Sequence, residues 1–238
     1  MAPTGWFPHP PEPIKDNPST IDTTTFTLDP GTVDAVDTGT SANDHHVNIT
    51  VSGLSGTGVT PNVTLVAAKL EDAAGNALST DQPFTETTDG AAPVVTGATV
   101  RDRTGNGTVD AADLTFSEAM NDSSVVANDW TIGGLSADRV TTTVGGDSEV
   151  DDEYLRLELD GTGVRGTGVT NVTYTRDSPD DADTADPAGN RLATVADGDL
   201  LEIDGAAPAI ETATTADTDA DGALDRLVVT LSEPIDDG

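Results

Sequence analysis

The sequence of 238 residues contains no cysteine, so neither disulfides nor thiolate-bound metal or redox centres can form. Aromatic residues make up only 3%, and ten Lys and Arg face 43 Asp and Glu, which leaves a formal net charge of −33. Binding to nucleic acid or to anionic membranes requires clustered basic side chains, so we expect no nucleic-acid partner. No apolar run approaches the roughly 20 residues of a membrane-spanning helix, so we expect no direct membrane insertion.

The excess of acidic residues also indicates the kind of organism from which the protein comes. Most acidic residues are Asp, and Lys15 and Lys69 are the only lysines. This composition resembles that of proteins from extreme halophiles, where strong salt screens the self-repulsion between carboxylates. We therefore expect a halophilic microbe, an archaeon, as the source. The first residues, MAPTGWFPHPPEPIKD, lack the basic and apolar parts of a signal peptide, which indicates a cytosolic protein or an internal piece of a longer one.

The sequence repeats itself. The segment at 89–122 recurs at 204–237, 115 residues further on, and the segments at 19–28 and 56–79 recur at 123–132 and 166–193. A fixed period of this size is typical of small domains in tandem. We therefore predict an irregular segment at 1–10, a first repeat at 11–88 that lacks its opening strands, a complete repeat at 89–203, and the opening part of a third repeat at 204–238.

The local pattern within each repeat predicts β-strands. Short segments with alternating Val, Thr, Leu and Tyr are separated by Gly, Asp, Asn and Pro, and no segment has the period of an amphipathic helix. About seven such strands in about 115 residues suit an immunoglobulin-like sandwich. The predicted fold class is therefore all-β, with tandem immunoglobulin-like β-sandwiches and with Phe26 and Trp130 at matching core positions.

Three motifs resemble a known family. They are the Asp-Gly-Ala-Ala-Pro linkers at 89–93 and 204–208, the Asp-rich loop before a strand that ends in Ser-Glu, and the Asp-x-Ala-Gly-Asn turns at 72–76 and 186–190. Together they resemble bacterial and archaeal Ig-like repeats of surface-layer proteins, adhesins and secreted multidomain proteins. The resemblance implies an architecture and an extracellular or cell-surface location, and it specifies activity far less well.

Alternating aspartates in two loops indicate calcium sites. At 217–225 three aspartates alternate before Gly222, which permits the tight bend, and carboxylate oxygens suit a hard cation. The candidate ligands of this loop are Asp217, Asp219, Asp221, Ala223 and Asp225. The equivalent loop at 102–113 has fewer carboxylates, so we expect weaker binding by its candidates Asp102, Thr104, Asn106, Thr108, Asp110 and Asp113.

Neither loop is an EF-hand, because neither has the bidentate Glu at the twelfth position and a strand follows each one. Further oxygens must come from elsewhere. The family resemblance implies calcium at the junctions between repeats, which makes the linker residues Asp89 and Asp204 candidate ligands. The alternative interpretation is that both loops are solvated acidic turns.

Glycosylation is also indicated. Asn48, Asn62, Asn121 and Asn171 each begin an Asn-x-Ser/Thr acceptor sequence. Asn106 begins one too, but it cannot both carry a glycan and ligate calcium in the same molecule.

No catalytic site is predicted. The Gly-rich segment at 161–166 has no helix after it to face a phosphate, the neighbouring His45 and His46 lack a third ligand, and Asp151, Asp152 and Glu153 occupy a polar turn. We expect a non-catalytic structural or adhesive module, not an enzyme, stiffened by calcium and contacting neighbouring repeats of the same or an identical chain. The alternative is a spacer in a secreted hydrolase whose catalytic domain lies outside this chain.

The two ends of the sequence stop at the same point of the repeat. Residues 204–238 of one chain could therefore complete the first repeat of another by strand addition, whereas truncation of a longer gene explains the same arrangement.

Overall fold

The computed structural model describes residues 13–15, 21–39, 41, 44–85, 87–142, 144, 149–161, 163–176 and 183–236. In this part of the chain the regular elements are β-strands and two single-turn 3-10 helices, Asp122–Ser124 and Ala127–Asp129. The all-β prediction is confirmed. The chain divides into two compact units, Met1–Asp89 and Gly90–Gly238, called unit 1 and unit 2 below.

The described part of unit 1 contains five strands, which are β1 (Phe26–Asp29), β2 (Thr32–Asp37), β3 (Asn48–Ser52), β4 (Asn62–Leu65) and β5 (Gln82–Phe84). Strands β1, β4 and β5 form an antiparallel sheet in the order β1-β4-β5, and β2 pairs with β3. Among the described residues of unit 1 only Ile21 and Thr25 are buried. Phe26, predicted as a core residue, is half-buried because little chain lies over it in unit 1.

In unit 2 the described residues form twelve strands, which are β6 (Val95–Arg101), β7 (Thr108–Val109), β8 (Ala111–Phe116), β9 (Trp130–Ile132), β10 (Leu135–Ser136), β11 (Arg139–Thr141), β12 (Tyr154–Glu158), β13 (Val164–Arg165), β14 (Val172–Tyr174), β15 (Glu202–Asp204), β16 (Ile210–Ala216) and β17 (Arg226–Leu231). They form a five-stranded sheet β11-β12-β8-β6-β15, a three-stranded sheet β10-β9-β14, and the pairs β7-β13 and β16-β17. Among the strand pairings of the described residues of unit 2, that of β15 with β6 is parallel and the others are antiparallel.

The five-stranded and three-stranded sheets of unit 2 bury their apolar faces in one cluster. On β12 the alternation of side chains between the two faces of the strand puts Leu155 and Leu157 into this cluster. Both are fully buried, and their neighbours along the strand are more exposed. Trp130 is 0% exposed as well. Its ring meets that of Phe116 edge-on at 6.3 Å and lies 4.8 Å from that of Tyr174. The arrangement is sandwich-like, with β9 and β14 facing β8.

Three carboxylates of unit 2 each bind two arginines. Arg101 and Arg156 bind Asp113, Arg103 and Arg139 bind Glu158, and Arg176 and Arg191 bind Asp183. All three acidic residues are buried. A buried charge requires such a partner, so six of the ten basic residues of the sequence neutralise three interior carboxylates.

The repeated segments fold alike. Strands β16 and β17 form a hairpin around the loop 217–225, and β6 and β8 pair in the same way around the loop 102–110. The Asp-x-Ala-Gly-Asn turns also match. The side chain of Asp72 accepts hydrogen bonds from the N–H and the Nδ2 of Asn76, and Asp186 accepts the same two from Asn190. Sequence repetition is thus accompanied by structural repetition.

Candidate metal site

Three carboxylates converge in the loop between β16 and β17. Asp217, Asp219 and Asp225 each place one oxygen so that the three atoms lie within 4.8 Å of one another. All three residues are exposed, and all three were predicted as calcium ligands from their spacing. Three negative oxygens this close repel each other unless a cation lies between them, so the loop has the donor set that a hard divalent ion prefers.

Hydrogen bonds within this loop keep two of the carboxylates ionised. The N–H of Gly222 donates to Asp217 over 2.9 Å and lowers the pKa of that carboxyl. The Thr218 hydroxyl, 2.6 Å from Asp225, and the Thr218 N–H together lower the pKa of Asp225. Gly222 has a φ of +89°, which a glycine adopts without strain and which the bend requires.

The other two predicted ligands of this loop lie differently. Asp221 does not belong to the group of three, and its carboxylate accepts a 2.8 Å hydrogen bond from the N–H of Ala223. Ala223 donates its N–H to this hydrogen bond, and it could act as a metal ligand only through its backbone carbonyl oxygen. The alternation of aspartates therefore brings three of the four carboxylates together.

The equivalent loop at 102–113 uses its oxygens internally. The Asp102 carboxylate accepts from the N–H groups of Gly105, Asn106 and Gly107 over 2.7 to 3.3 Å. Partial burial acts to raise the pKa of Asp102, but these N–H groups outweigh it, and the pKa is lowered. Asp102 acts here as the acceptor that closes a tight turn.

The remaining side chains of this loop are also hydrogen-bonded. Asp110 accepts from the N–H groups of Arg103 and Thr104. The side-chain oxygen of Asn106 accepts from the N–H of Thr108 over 2.9 Å and from its hydroxyl. Among the described residues, no group of three metal-binding side chains forms in this loop, in contrast to 217–225.

Asp113, which would close the first loop, lies in strand β8 and faces two arginines. Its Oδ2 accepts from Arg101 Nε at 3.0 Å and from Arg156 Nη2 at 3.0 Å, and its Oδ1 accepts from Arg156 Nε. Asp113 also raises the pKa of Arg156, chiefly through these hydrogen bonds. A cation would have to displace Arg156 to use either oxygen.

The linker candidates occupy two different settings. Asp204 ends β15, is exposed, and accepts a 3.1 Å hydrogen bond from the N–H of Ala206. Asp89 is the half-buried last residue of unit 1. Within unit 2, Glu118 and the buried Asp186 bring carboxylate oxygens within 4.8 Å of each other, a pairing that the sequence did not suggest.

The glycosylation candidates differ in exposure. Asn48 and Asn62 are exposed and begin strands β3 and β4. Asn121 and Asn171 are half-buried, and the side chain of Asn121 accepts hydrogen bonds from the N–H and hydroxyl of Ser123 at the start of a 3-10 helix. Asn48 and Asn62 are therefore the more accessible acceptors.

A second carboxylate group, which the spacing of residues did not reveal, lies at the turn before β12. Asp122 and Asp151 exchange backbone-to-side-chain hydrogen bonds of 3.0 and 3.1 Å. One carboxylate oxygen of Asp122 and one of Asp152 are buried without a hydrogen-bond partner. Desolvation, together with the charges of Asp151 and Asp152, raises the pKa of Asp122. The turn expected to be merely polar is thus a site of charge repulsion.

The variant Asp122→Asn should raise the melting temperature at pH 7. A carboxyl whose pKa is raised on folding destabilises the folded protein as the pH rises from the ordinary value of 3.8 through the raised pKa. Removing its charge should therefore stabilise the protein at a pH above the raised pKa. The amide keeps an oxygen that can accept the N–H of Asp151. Below pH 3.8, the ordinary pKa of the group, wild type and variant should melt alike. Thermal unfolding at both pH values checks this, and an equal difference at both would contradict the electrostatic cause.

Two further features of the sequence, the adjacent histidines and the lack of long apolar runs, can be compared with the structure. The rings of His45 and His46 lie 4.2 Å apart in a tilted arrangement. Within the described ranges, no helix has the length and apolar character needed to cross a membrane.

Comparison of the chain with protein-family models, curated proteins and solved structures gave no match. The family resemblance therefore stays a prediction that depends on the quoted motifs.

Proposed function

We propose that this chain is a non-catalytic structural or adhesive module, made of tandem Ig-like β-sandwiches from a secreted or cell-surface protein. Calcium in its Asp-rich loop at 217–225 stiffens the array. The observation that carries the proposal is the recurrence of one hairpin with an acidic loop, first as β6–β8 and again as β16–β17. Domains that recur along a chain serve as spacers and as extended binding surfaces.

The interior of unit 2 supports a structural role. Its buried carboxylates Asp113, Glu158 and Asp183 are each neutralised by two arginines, which suits interior scaffolding more than acid–base chemistry. Three of its four aromatic residues, Phe116, Trp130 and Tyr174, pack together in the core, which leaves only the half-buried Tyr154 as a surface for sugars.

The acidic loop at 217–225 supports the calcium part of the proposal. It brings one carboxylate oxygen each from Asp217, Asp219 and Asp225 within 4.8 Å of one another, between β16 and β17. A bound cation would fix the loop and thereby the direction in which β17 leaves it. The charge of −33 supports a setting with strong salt, because salt screens the repulsion between neighbouring repeats.

Calcium titration of the intact chain tests the proposal. Isothermal titration calorimetry in molar KCl, after removal of divalent ions with EGTA and dialysis, should show calcium binding at one site. The variant Asp219→Ala should weaken it by at least about tenfold, since one of three converging carboxylates is lost.

The matched control is Asp221→Ala, which removes an aspartate from the same loop but not from the group of three. Its calcium affinity should stay close to that of the wild type. An equal loss in both variants would point to the summed charge of the loop and not to a site. Absence of calcium binding in the wild type would overturn the calcium part of the proposal.

A further inference from the structure

The hairpin β16–β17 exposes apolar side chains that the equivalent hairpin β6–β8 buries. Val229 is 42% and Ile235 56% exposed, whereas their counterparts one repeat earlier, Leu114 and Met120, are 0% exposed. The same face of the hairpin also carries further exposed or half-buried apolar residues, Ile210, Leu227 and Leu231. A face that is apolar at the positions of a known core needs a second layer.

Unit 2 shows what covers this face in a complete repeat. Strands β9 and β14 lie over it with the buried side chains Trp130, Ile132, Val172 and Tyr174. Strand β12 pairs along the free edge of β8, with Leu155 opposite Leu114 and Leu157 opposite Ala112. Among the described residues, β17 has no strand partner other than β16.

Unit 1 repeats these covering elements. In β1 and β4, Phe26 pairs with Leu65 and Leu28 with Val63, just as Trp130 pairs with Tyr174 and Ile132 with Val172 in β9 and β14. These four residues of unit 1 are only half-buried.

Strand β3 of unit 1 corresponds to β12. The pair Val36 and Ile49 in β2 and β3 takes the place of the pair Val140 and Leu157 in β11 and β12. In the described part of unit 1, β3 pairs with β2 alone, so the edge that β12 offers to β8 is open in β3.

We propose that the hairpin β16–β17 of one copy completes unit 1 of a second copy by adding a strand to the edge of β3 and covering its half-buried apolar face. The occupant of each surface is thus another molecule of this chain. The register follows from unit 2, where Leu157 opposes Ala112 and Arg156 opposes Asp113. Ile49 of one copy then opposes Leu227 of the other, and Asn48 opposes Val228.

Electrostatic repulsion between the two copies opposes the association and determines the salt concentration of the test. Two chains of charge −33 repel each other at low ionic strength, so binding should strengthen in molar KCl. Calcium is not required for the strand pairing, and the measurements are made in EGTA. Their outcome is therefore separate from that of the calcium titration.

Sedimentation velocity of the full chain over a range of concentrations measures the association. The wild type should form dimers and longer head-to-tail species as concentration rises. Val229→Asp places a charge on the face to be buried and should weaken association by at least about tenfold. Val228→Asp is the matched control, because Val228 lies on the opposite face with 45% exposure and Asp113 occupies its position one repeat earlier. This control should associate like the wild type.

Engineered cysteines test the register, since the sequence contains none. Residues directly opposite on antiparallel strands have Cα atoms about 5 Å apart, within the range of a disulfide. The double variant Asn48→Cys with Val228→Cys should give an intermolecular ladder on oxidation. The displaced pair Asn48→Cys with Thr230→Cys should cross-link at least about tenfold more slowly, because diagonal residues lie farther apart.

Three results would overturn the proposal. One is a wild type that stays monomeric at all concentrations in molar KCl. Another is equal association of the Val229→Asp and Val228→Asp variants. The third is a cross-linked product confined to single chains, which would show that the hairpin closes on its own chain. Melting curves of the variants should match that of the wild type, since both positions are exposed in the single chain.

Discussion

Replacing Trp130 by alanine is expected to lower the free energy of unfolding of unit 2 by about 4 kcal/mol, the largest effect of any single truncation in the chain. Trp130 is 0% exposed and contacts the rings of Phe116 and Tyr174, so truncation leaves a cavity between the two sheets. For a unit of this size such a loss corresponds to a drop in melting temperature of roughly 10 °C.

The control for this prediction comes from the repeat itself. Phe26→Ala truncates the residue at the same position of unit 1, where the side chain is half-buried. Its effect on the unfolding of unit 1 should be at most about half as large, because less apolar surface is lost from the interior. Far-UV circular dichroism during heating in molar KCl measures both variants. Equal losses would show that unit 1 has a filled core in solution, as it would if a second copy covered it.

Much of the fold could be predicted from the sequence because the strands of unit 2 alternate. In β12, Leu155 and Leu157 alternate with Tyr154 and Arg156, and the structure buries the first pair more deeply. The parallel strand β15 could not be predicted in this way. Its residues, Glu202–Asp204, look like part of a linker, and they become a strand only because the edge of β6 is there to pair with them.

The candidate metal site also shows that the local sequence does not determine which contacts a residue makes. Asp102 and Asp217 occupy equivalent positions in equivalent loops, yet one closes a turn with three N–H groups and the other joins a group of three carboxylates. The sequence ranked the second loop above the first by its carboxylate content, and of the two loops the second brings three carboxylates together among the described residues. Calcium binding, and with it the ranking of affinities, stays a prediction. The sequence did not indicate that Asp221 would lie outside the group, because alternation fixes the side of the loop and not the distances.

Asp113 illustrates a third limit, since its role depends on residues far away in the sequence. As part of an acidic loop it looked like a metal ligand, but Arg156, 43 residues further along, lies opposite it on the neighbouring strand. The sequence has only ten basic residues, so the pairing of Arg156 with the buried Asp113 shows where these residues are used. The scarce arginines neutralise interior carboxylates, and most surface carboxylates face solvent and salt instead.

The variant Asp113→Asn should therefore lower the free energy of unfolding of unit 2 by about 3 kcal/mol, equally in calcium and in EGTA. The side chains of Asp113 and Arg156 are only 10% and 15% exposed, so the neutral amide leaves the Arg156 guanidinium partly buried without its counter-charge. Thermal unfolding in molar KCl under both conditions measures the loss. A loss seen only with calcium present would instead identify Asp113 as a metal ligand.

The paired variant Asp113→Val with Arg156→Leu distinguishes the loss of a partner from the loss of the ion pair itself. Replacing both members of a buried pair by apolar residues is commonly neutral or stabilising, because neither charge has to leave water. Valine already stands at the equivalent position of the third repeat, Val228, in a strand of the same hairpin form. We expect the double variant to regain more than half of the stability that Asp113→Asn loses. If it does not, the Asp113 carboxylate contributes through Arg101 as well, whose guanidinium is more exposed and lies 3.0 Å away.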